Sequence, residues 1–208
     1  MTLENLKFIL QLSNVVIDQC KIETFDLVQG DFVYVTGETN ECKNCIYKLL
    51  TFQTNGSGTK AEFGGQNLFE ISNTEIYKIR RKVAFLEQTP DLKTNEEILV
   101  YLERLNMTNN HSLVELNDYF KIAQPEETNV VFSNLKLLLS TNPQILIIDH
   151  TFDSLINEQI NSVLDALLRF KNEHPLALII NTNNAYLTSK YLGRTYKVIN
   201  KSIVELDV

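Results

Sequence analysis

The sequence has little of what marks membrane-spanning, secreted and nucleic-acid-binding proteins. No stretch approaches the roughly 18 uninterrupted apolar residues of a membrane span. The N-terminus, MTLENLKFIL, lacks the basic start and long apolar stretch of a secretory signal. Acidic residues outnumber basic ones by 26 to 19, and the net charge of -7 argues against a protein built to neutralise nucleic-acid phosphates. These absences predict a cytosolic protein that does not bind nucleic acid.

Cysteine is also scarce, with three in 208 residues. An odd number in a chain of this length does not indicate a disulfide framework. Internal repeats, low-complexity tails and long linkers do not stand out either. The length fits a single domain over residues 1–208, and a hydrophobic content of 44% is enough for a full core.

The apolar pattern predicts strands that alternate with helices. Short runs of β-formers and buried apolar residues indicate the strands, and two of them are typical of strands buried on both faces of a parallel sheet. A Gly-rich stretch, TNGSGTKAEFGGQNL, predicts turns or a hairpin. The predicted strands are KFILQLSNVVI, KIETFDLV, GDFVYVTG, RKVAFLEQ, QILIIDH, LALIINTNN and the closing hairpin YKVINKSIVEL.

Helical spacing occurs between these strands. TNEEILVYLERL opens on a capping box, because Thr94 is followed three residues later by Glu97. The helical stretch at about 89–140 predicts a lobe inserted between strands. Such alternation predicts an α/β protein with a parallel sheet. The other predicted helices are CIYKLLTF, TNVVFSNLKLLLSTNP and NEQINSVLDALLRFKNE.

The segment GETNECKNC, which begins at Gly37, has two interpretations. A strand, Gly37, five residues, Lys43 and then a helix is the layout of a phosphate-binding loop, with Lys43 directed at phosphates. In the pattern G-x-x-x-x-G-K-[ST], the second glycine and the Ser/Thr correspond to Cys42 and Asn44. Alternatively, Cys42 and Cys45 form a C-x-x-C redox or metal site. Because no second cysteine pair or close histidine completes a zinc site, we interpret both as small residues that fill the loop.

The order of motifs along the chain resembles that of the ATP-binding subunits of ABC transporters, and more loosely the compact cell-division type that partners a membrane protein. VQGDFVYVTG resembles the strand that enters the Walker A loop, and RRKVAFLEQ the strand that ends in the Q-loop glutamine, Gln88. TNPQILIIDHTFDSL resembles the Walker B strand and D-loop, with Asp149 as the Walker B acid. The resemblance covers nearly the whole chain. It implies a P-loop NTPase fold of ABC type, with a mostly parallel sheet, an N-terminal antiparallel β part and a short inserted helical lobe.

Several functional positions of that family are changed here. The magnesium-ligating Ser/Thr corresponds to Asn44, the catalytic glutamate to His150, and the switch histidine in LALIINTNN to Asn183. Further changes fall at the signature motif (Pro125 to Asn129, without glycine), the D-loop aspartate (Ile156) and the adenine-stacking aromatic, which is absent near Ile17.

The resemblance nevertheless implies a set of candidate site residues. Magnesium would be held, if only weakly, by Asn44, Gln88 and Asp149, and His150 is the candidate catalytic base. The residues implied for nucleotide binding are Gly37, Cys42, Lys43, Asn44, Cys45, Gln88, Asp149 and Asn183.

The composition of the loop disfavours a triphosphate. Asn40, Glu41 and Cys42 occupy the stretch where glycines would let the backbone approach phosphate, and Glu38 lies beside it. Each carboxylate would repel a polyphosphate by about 1 kcal/mol at 4 Å in water, and by up to ~4 kcal/mol at an effective dielectric of 20. Lys43 supplies one compensating charge, and we expect it to pair with Glu41 or Asp149.

These observations predict a pseudo-ATPase, a degenerate ABC-type nucleotide-binding domain with weak or no binding of ATP and magnesium. The resemblance implies a cytoplasmic subunit at the inner face of the membrane, bound to a permease-like protein and paired with another ATPase subunit or with itself. The docking surface would include the region from Gln88 to Asn95 and the helix that starts near Glu96. The alternative is a divergent but active ATPase that works through Lys43, Asp149 and His150.

Overall fold

The computed structural model describes residues 7–38, 40–87, 116, 118–120 and 126–206. For residues 40, 41 and 126–130 it describes the backbone alone. The strands are β1 (Phe8–Ile17), β2 (Cys20–Val28), β3 (Phe32–Gly37), β4 (Gly56–Phe63), β5 (Gln66–Asn67), β6 (Val83–Leu86), β7 (Ile145–Asp149), β8 (Ala177–Asn181), β9 (Arg194–Ile199) and β10 (Ser202–Glu205). The helices are α1 (Asn40–Lys43), α2 (Cys45–Leu50), α3 (Asn73–Arg80), α4 (Glu126–Ser140), α5 (Asn157–Glu173) and α6 (Ala185–Lys190), and a 3-10 turn spans Thr151–Ser154.

All ten strands belong to one sheet in the order β5-β4-β1-β2-β10-β9-β3-β8-β7-β6. The neighbours β9, β3, β8, β7 and β6 are parallel. At the other end, β2, β1, β4 and β5 are antiparallel, and β10 connects the two parts by pairing with β9 and β2. The predicted α/β class, with a mostly parallel sheet and an N-terminal antiparallel part, is confirmed.

The sheet separates two hydrophobic cores because side chains alternate across each strand. In β3, Val33 and Val35 belong to the core shared with the antiparallel part and α2, whereas Tyr34 points into the core under α4 and α5. The strands β7 and β8 are covered on both faces, so their apolar residues are continuous rather than alternating. The two cores fix the parallel strands from both sides.

Most of the predicted elements are found at the expected places. The exceptions are α1, which falls where a loop was predicted, and α3 and α6, which the apolar pattern did not predict. Helix α3 begins after Ser72, whose backbone N–H donates to the Glu75 carboxylate at 3.2 Å. Of the predicted helical lobe at 89–140, α4 is described, while the capping box at Thr94 and Glu97 lies outside the described residues. Among the described helices, none is long and apolar enough to cross a membrane.

Buried tyrosines make the fold sensitive to alkali. Burial raises the pKa of Tyr196 from 10.0 to about 12. A group whose pKa is raised on folding contributes stability that is complete below pH 10 and is lost as the pH rises through 12. We therefore expect the free energy of unfolding to fall by about 1.4 kcal/mol per pH unit in this range from Tyr196. Urea titrations at several pH values would measure this slope, which Tyr196→Phe should reduce. The control Tyr77→Phe changes a side chain that is 65% exposed and should leave the slope intact.

Candidate functional site

The candidate site lies where three parallel strands end side by side. Gly37 ends β3, Asp149 ends β7 and Asn181 ends β8, and β8 lies between the other two. The carboxyl ends of parallel strands meet at one edge of a sheet, which is where α/β proteins bind ligands. Lys43 and Asn44 reach the same edge from α1 and the turn that follows it. Residues that are distant in the sequence are thus brought together by the parallel topology.

Gly37 occupies a position that excludes a side chain. Its φ is +115°, and an added Cβ atom would lie 2.6 Å from the backbone oxygen of Val198 on the neighbouring strand β9. Its backbone N–H donates to Oδ1 of Asn183 at 3.0 Å. The glycine that the phosphate-loop pattern identified is therefore required here by the close approach of β9 and by the backbone angle.

We expect Gly37→Ala to destabilise the protein by about 2–3 kcal/mol, because strained backbone and a backbone clash both contribute. Gly30→Ala is the matched control, since Gly30 has a φ of +82° but no atom within 4 Å of an added Cβ. It should cost about 1 kcal/mol, the backbone contribution alone. Equal losses for the two variants, measured by urea unfolding, would exclude the clash with Val198.

Lys43 is almost completely buried, with 1% of its surface exposed. Its Nζ donates to Oδ1 of Asn183 at 3.0 Å and lies 3.4 Å from Nε2 of His150. Burial lowers the pKa of Lys43, while the charges of Asp153 and Asp149 oppose this shift. The predicted pairing of Lys43 with Asp149 is not found as a direct contact, because Nζ contacts the Asn183 amide and the His150 imidazole instead. The Glu41 side chain, the other predicted partner, lies outside the described residues.

His150 is held by a chain of hydrogen bonds that sequence analysis missed. It has a left-handed backbone, with φ of 53°, and 6% of its surface is exposed. Its Nδ1 lies 2.6 Å from Oδ2 of Asp153, whose other oxygen accepts a hydrogen bond from the Thr182 hydroxyl. With the Nδ1 proton directed to Asp153, Nε2 is left to accept from Lys43. The only sequence signal for this arrangement is the spacing of three residues between His150 and Asp153.

Asp149, the predicted Walker B acid, has its carboxylate covered by amide groups. Oδ2 accepts from Nδ2 of Asn44 at 3.0 Å, and Oδ1 accepts from Nδ2 of Asn181 at 3.1 Å. Nδ2 of Asn181 also faces Oδ1 of Asn44 and the backbone oxygen of Lys43, at 2.9 and 3.3 Å. Three acceptors around one nitrogen fix the orientation of this amide. Oδ1 of Asn181, which is fully buried, has no hydrogen-bond partner in the described part of the chain.

This donor set does not fit magnesium. The ion requires hard oxygen ligands in octahedral geometry. Asn44 instead presents an N–H group to Asp149, and its amide oxygen is directed at Asn181. The third predicted ligand, Gln88, lies outside the described residues.

The cysteines of the loop do not form the C-x-x-C pair that the sequence allowed. Cys42 is bonded to Cys20 at the start of β2, with the two Cα atoms 5.4 Å apart, and Cys45 is a free, buried thiol. One disulfide therefore forms, although the odd cysteine count did not indicate a disulfide framework, and the interpretation of Cys42 as a filler is wrong. The reason is that the start of β2 and α1 lie next to each other in the fold, although the two cysteines are 22 residues apart in the sequence. Burial raises the pKa of Cys45 to about 12.

A groove with a volume of about 560 Å³ opens beside this cluster. The groove is lined by the end of β3 with Glu38, by Asn183 and Asn184, and by residues of α6, β9 and the chain after β10. Lys43 is not among the lining residues, although Asn183 contacts both the groove and Lys43. The described site thus exposes one amide to the groove and keeps its cation behind it.

Comparisons with known proteins agree with this fold. No model of a protein family matches the sequence. The methionine import ATP-binding protein MetN 2 of Enterococcus faecalis is 21% identical over an alignment of 191 residues, and the alignment covers 85% of this chain. The chain spans 55% of the length of that relative.

Solved structures of ABC-transporter components share the fold. CbiO1 of Clostridium perfringens, part of the ABC transporter complex CbiONQ, superposes with a TM-score of 0.81 at 14% identity, over 95% of this chain and 87% of that one. An ATP-binding cassette of an ABC transporter in its ADP conformation superposes with a TM-score of 0.74 at 15% identity, over 95% of this chain and 89% of that one. A nucleotide-free ATP-binding cassette from an ABC transporter superposes with a TM-score of 0.71 at 16% identity, over 95% of this chain and 90% of that one. These likenesses confirm the predicted resemblance to the ATP-binding subunits of ABC transporters, as a likeness of fold and of sequence.

Proposed function

We propose that this chain is an ABC-type nucleotide-binding domain that has lost ATP turnover and acts as a pseudo-ATPase subunit. The observation that carries the proposal is internal pairing. In the described part of the site, the groups that would meet phosphate and metal are paired with asparagine side chains of the same chain. The region from Gln88 to Asn95 and the predicted helix that starts near Glu96 are part of this proposal as the surface that meets a partner.

Asn183 stands where a phosphate oxygen would be bound. Its Oδ1 accepts from the Gly37 backbone N–H and from Lys43 Nζ, both at 3.0 Å. A backbone N–H and a lysine are the donors with which a phosphate-binding loop holds its ligand. A nucleotide must therefore displace the Asn183 amide before it gains either donor. The exposed Glu38 adds negative charge at the start of the loop.

Asn44 and Asn181 stand on the metal side of the site. Their amide groups donate to the two oxygens of Asp149, at 3.0 and 3.1 Å. These contacts satisfy the carboxylate without a cation, and they orient the amide nitrogen rather than the oxygen of Asn44 toward it. Because the residues present do not fit magnesium, we propose that nucleotide binding is weak or lost and that no hydrolytic step depends on them.

The proposed role is therefore structural. We infer that the chain docks on a permease-like membrane protein and pairs with another ATPase subunit or with a second copy of itself, at the cytoplasmic face of the membrane. CbiO1, which shares the fold, is part of a transporter complex. The net charge of -7 disfavours nucleic acid as a partner.

Steady-state phosphate release from magnesium-ATP tests the proposal. We expect the purified chain to release phosphate no faster than the Lys43→Ala variant, and ATP to leave the melting temperature of both proteins unchanged. Turnover by the purified chain that Lys43→Ala abolishes would overturn the proposal. Co-purification with a multi-span membrane protein would support the structural role.

The alternative, a divergent active ATPase, is favoured by one contact. Asp153 orients His150 through Nδ1 at 2.6 Å, as an acid orients a catalytic base. However, Nε2 lies 3.4 Å from the Lys43 ammonium group, so the lone pair that would take a proton is already engaged. If this alternative holds, His150→Ala will remove a measurable ATPase activity.

A further inference from the structure

The disulfide joins the start of a long strand to a helix of a single turn. Cys20 begins β2, where it pairs with Ile17 of β1, and the next residue, Lys21, donates its backbone N–H to Lys201 at 2.8 Å. Cys42 belongs to α1, which has only four residues. A helix this short is not stable by itself, because one turn fixes many backbone angles for few hydrogen bonds. The position of α1 therefore depends on tertiary contacts. The Cys20–Cys42 disulfide is a covalent contact of this kind.

Lys43 follows Cys42 directly and is the cation of the site. Its side chain is held at the far end by Asn183 and His150, and its backbone oxygen accepts from Asn181 at 3.3 Å. Removing the charge of Lys43 from water costs free energy. Lys43 therefore stays buried only while other contacts hold α1 against the sheet. The disulfide holds α1 through Cys42, the residue directly before Lys43.

We propose that the Cys20–Cys42 bond is a redox-sensitive lock that keeps Lys43 in its buried network. A dithiol reductant opens the lock: the Cys20–Cys42 sulfur–sulfur bond breaks, two thiols form, and the dithiol becomes a disulfide, so two electrons and two protons are transferred. Reduction frees α1 to move from the sheet and exposes Lys43 for part of the time. In a compartment that keeps thiols reduced, the lock closes only under oxidising conditions.

The third cysteine does not take part in this exchange. Cys45 lies three residues after Cys42 and, like Cys42, is 1% exposed, so burial alone does not distinguish the two. Burial raises the pKa of Cys45 to about 12, and the thiolate is the form that attacks a disulfide. Cys45→Ala should therefore leave the lock intact, which makes it the matched control for Cys20→Ser.

The proposal rests on the proposed function only in taking the Lys43 network as the resting state, and its test uses no nucleotide. The oxidised protein, the protein after treatment with dithiothreitol and removal of the reagent, and Cys20→Ser are acylated with an N-hydroxysuccinimide ester. Peptide mass spectrometry then gives the rate of modification of Lys43. The exposed Lys78 is the internal standard, and circular dichroism verifies that each form is folded.

We expect Lys43 of the reduced and Cys20→Ser forms to react at least about tenfold faster than that of the oxidised form, since a buried amine reacts only when its segment opens. Cys45→Ala should react as slowly as the oxidised wild type. Equal rates in oxidised and reduced protein would overturn the lock. So would alkylation of all three cysteines in denatured protein that had been air-oxidised and never reduced. ATP hydrolysis by either form would contradict the proposed function and leave the lock untouched.

Discussion

Removing the Cys20–Cys42 bond by Cys20→Ser is expected to lower the free energy of unfolding by about 3 kcal/mol, the value for cross-linked loops of this size. The two residues are 22 positions apart, so the bond restricts the unfolded chain over β2, β3 and the loop to α1. Both cysteines are buried, and the lost bond also leaves a hydroxyl in an apolar core. Urea unfolding with and without reductant measures the effect.

The pattern across variants separates the disulfide from simple packing. Reductant should destabilise the wild type by a similar amount and leave Cys20→Ser unchanged. Cys45→Ala, which removes a buried thiol without touching the bond, should remain sensitive to reductant. A wild type whose unfolding midpoint does not respond to reductant would contradict the disulfide.

Replacing Asp153 by alanine is expected to cost about 3 kcal/mol. Asp153 accepts from His150 Nδ1 at 2.6 Å and from the Thr182 hydroxyl. Both donors are on buried residues, with His150 at 6% and Thr182 at 0% exposure, so each is left without its acceptor. An unsatisfied buried donor costs about 1–3 kcal/mol. Since the Asp153 side chain is itself 25% exposed, water will compensate in part.

Two further variants control for this prediction. Asp165→Ala removes an exposed carboxylate that accepts a hydrogen bond from the half-buried Tyr191 hydroxyl at 2.9 Å, and should cost less than about 1 kcal/mol. Asp153→Asn keeps the shape of the side chain and one acceptor oxygen. Its decrease in the free energy of unfolding should therefore lie between the decreases for Asp153→Ala and Asp165→Ala. Equal losses for Asp153→Ala and Asp165→Ala, measured by chemical denaturation, would mean that the His150 cluster does not stabilise the fold.

The fold was predictable because its signals are local. The apolar runs that became β7 and β8 have no polar interruption, which is the mark of strands covered on both faces. The order of such strands and amphipathic helices fixes a parallel sheet almost without reference to tertiary contacts. The short helix α6 was missed because its six residues carry no apolar periodicity that could be distinguished from a loop.

The site was predictable only in part. The position of each site residue follows from a short stretch of sequence, whereas the contacts between these residues join segments that are distant in the sequence. Gly37 and Lys43 follow from the spacing of one loop, and Asp149 from the end of one strand. Which group each of them meets depends on β8, whose Asn181 and the following Asn183 supply the amides. The partner of Cys42 likewise comes from β2, more than twenty residues earlier. Pairings between distant segments leave no periodic trace in the sequence.

Titration calorimetry of magnesium-ATP into the oxidised wild-type protein tests the internal pairing of the site most directly. Because Asn183 holds Lys43 and the Gly37 N–H, and amides cover Asp149, the account predicts no saturable heat up to about 1 mM nucleotide, which corresponds to binding weaker than about −4 kcal/mol. A micromolar dissociation constant that is lost in Lys43→Ala would contradict it.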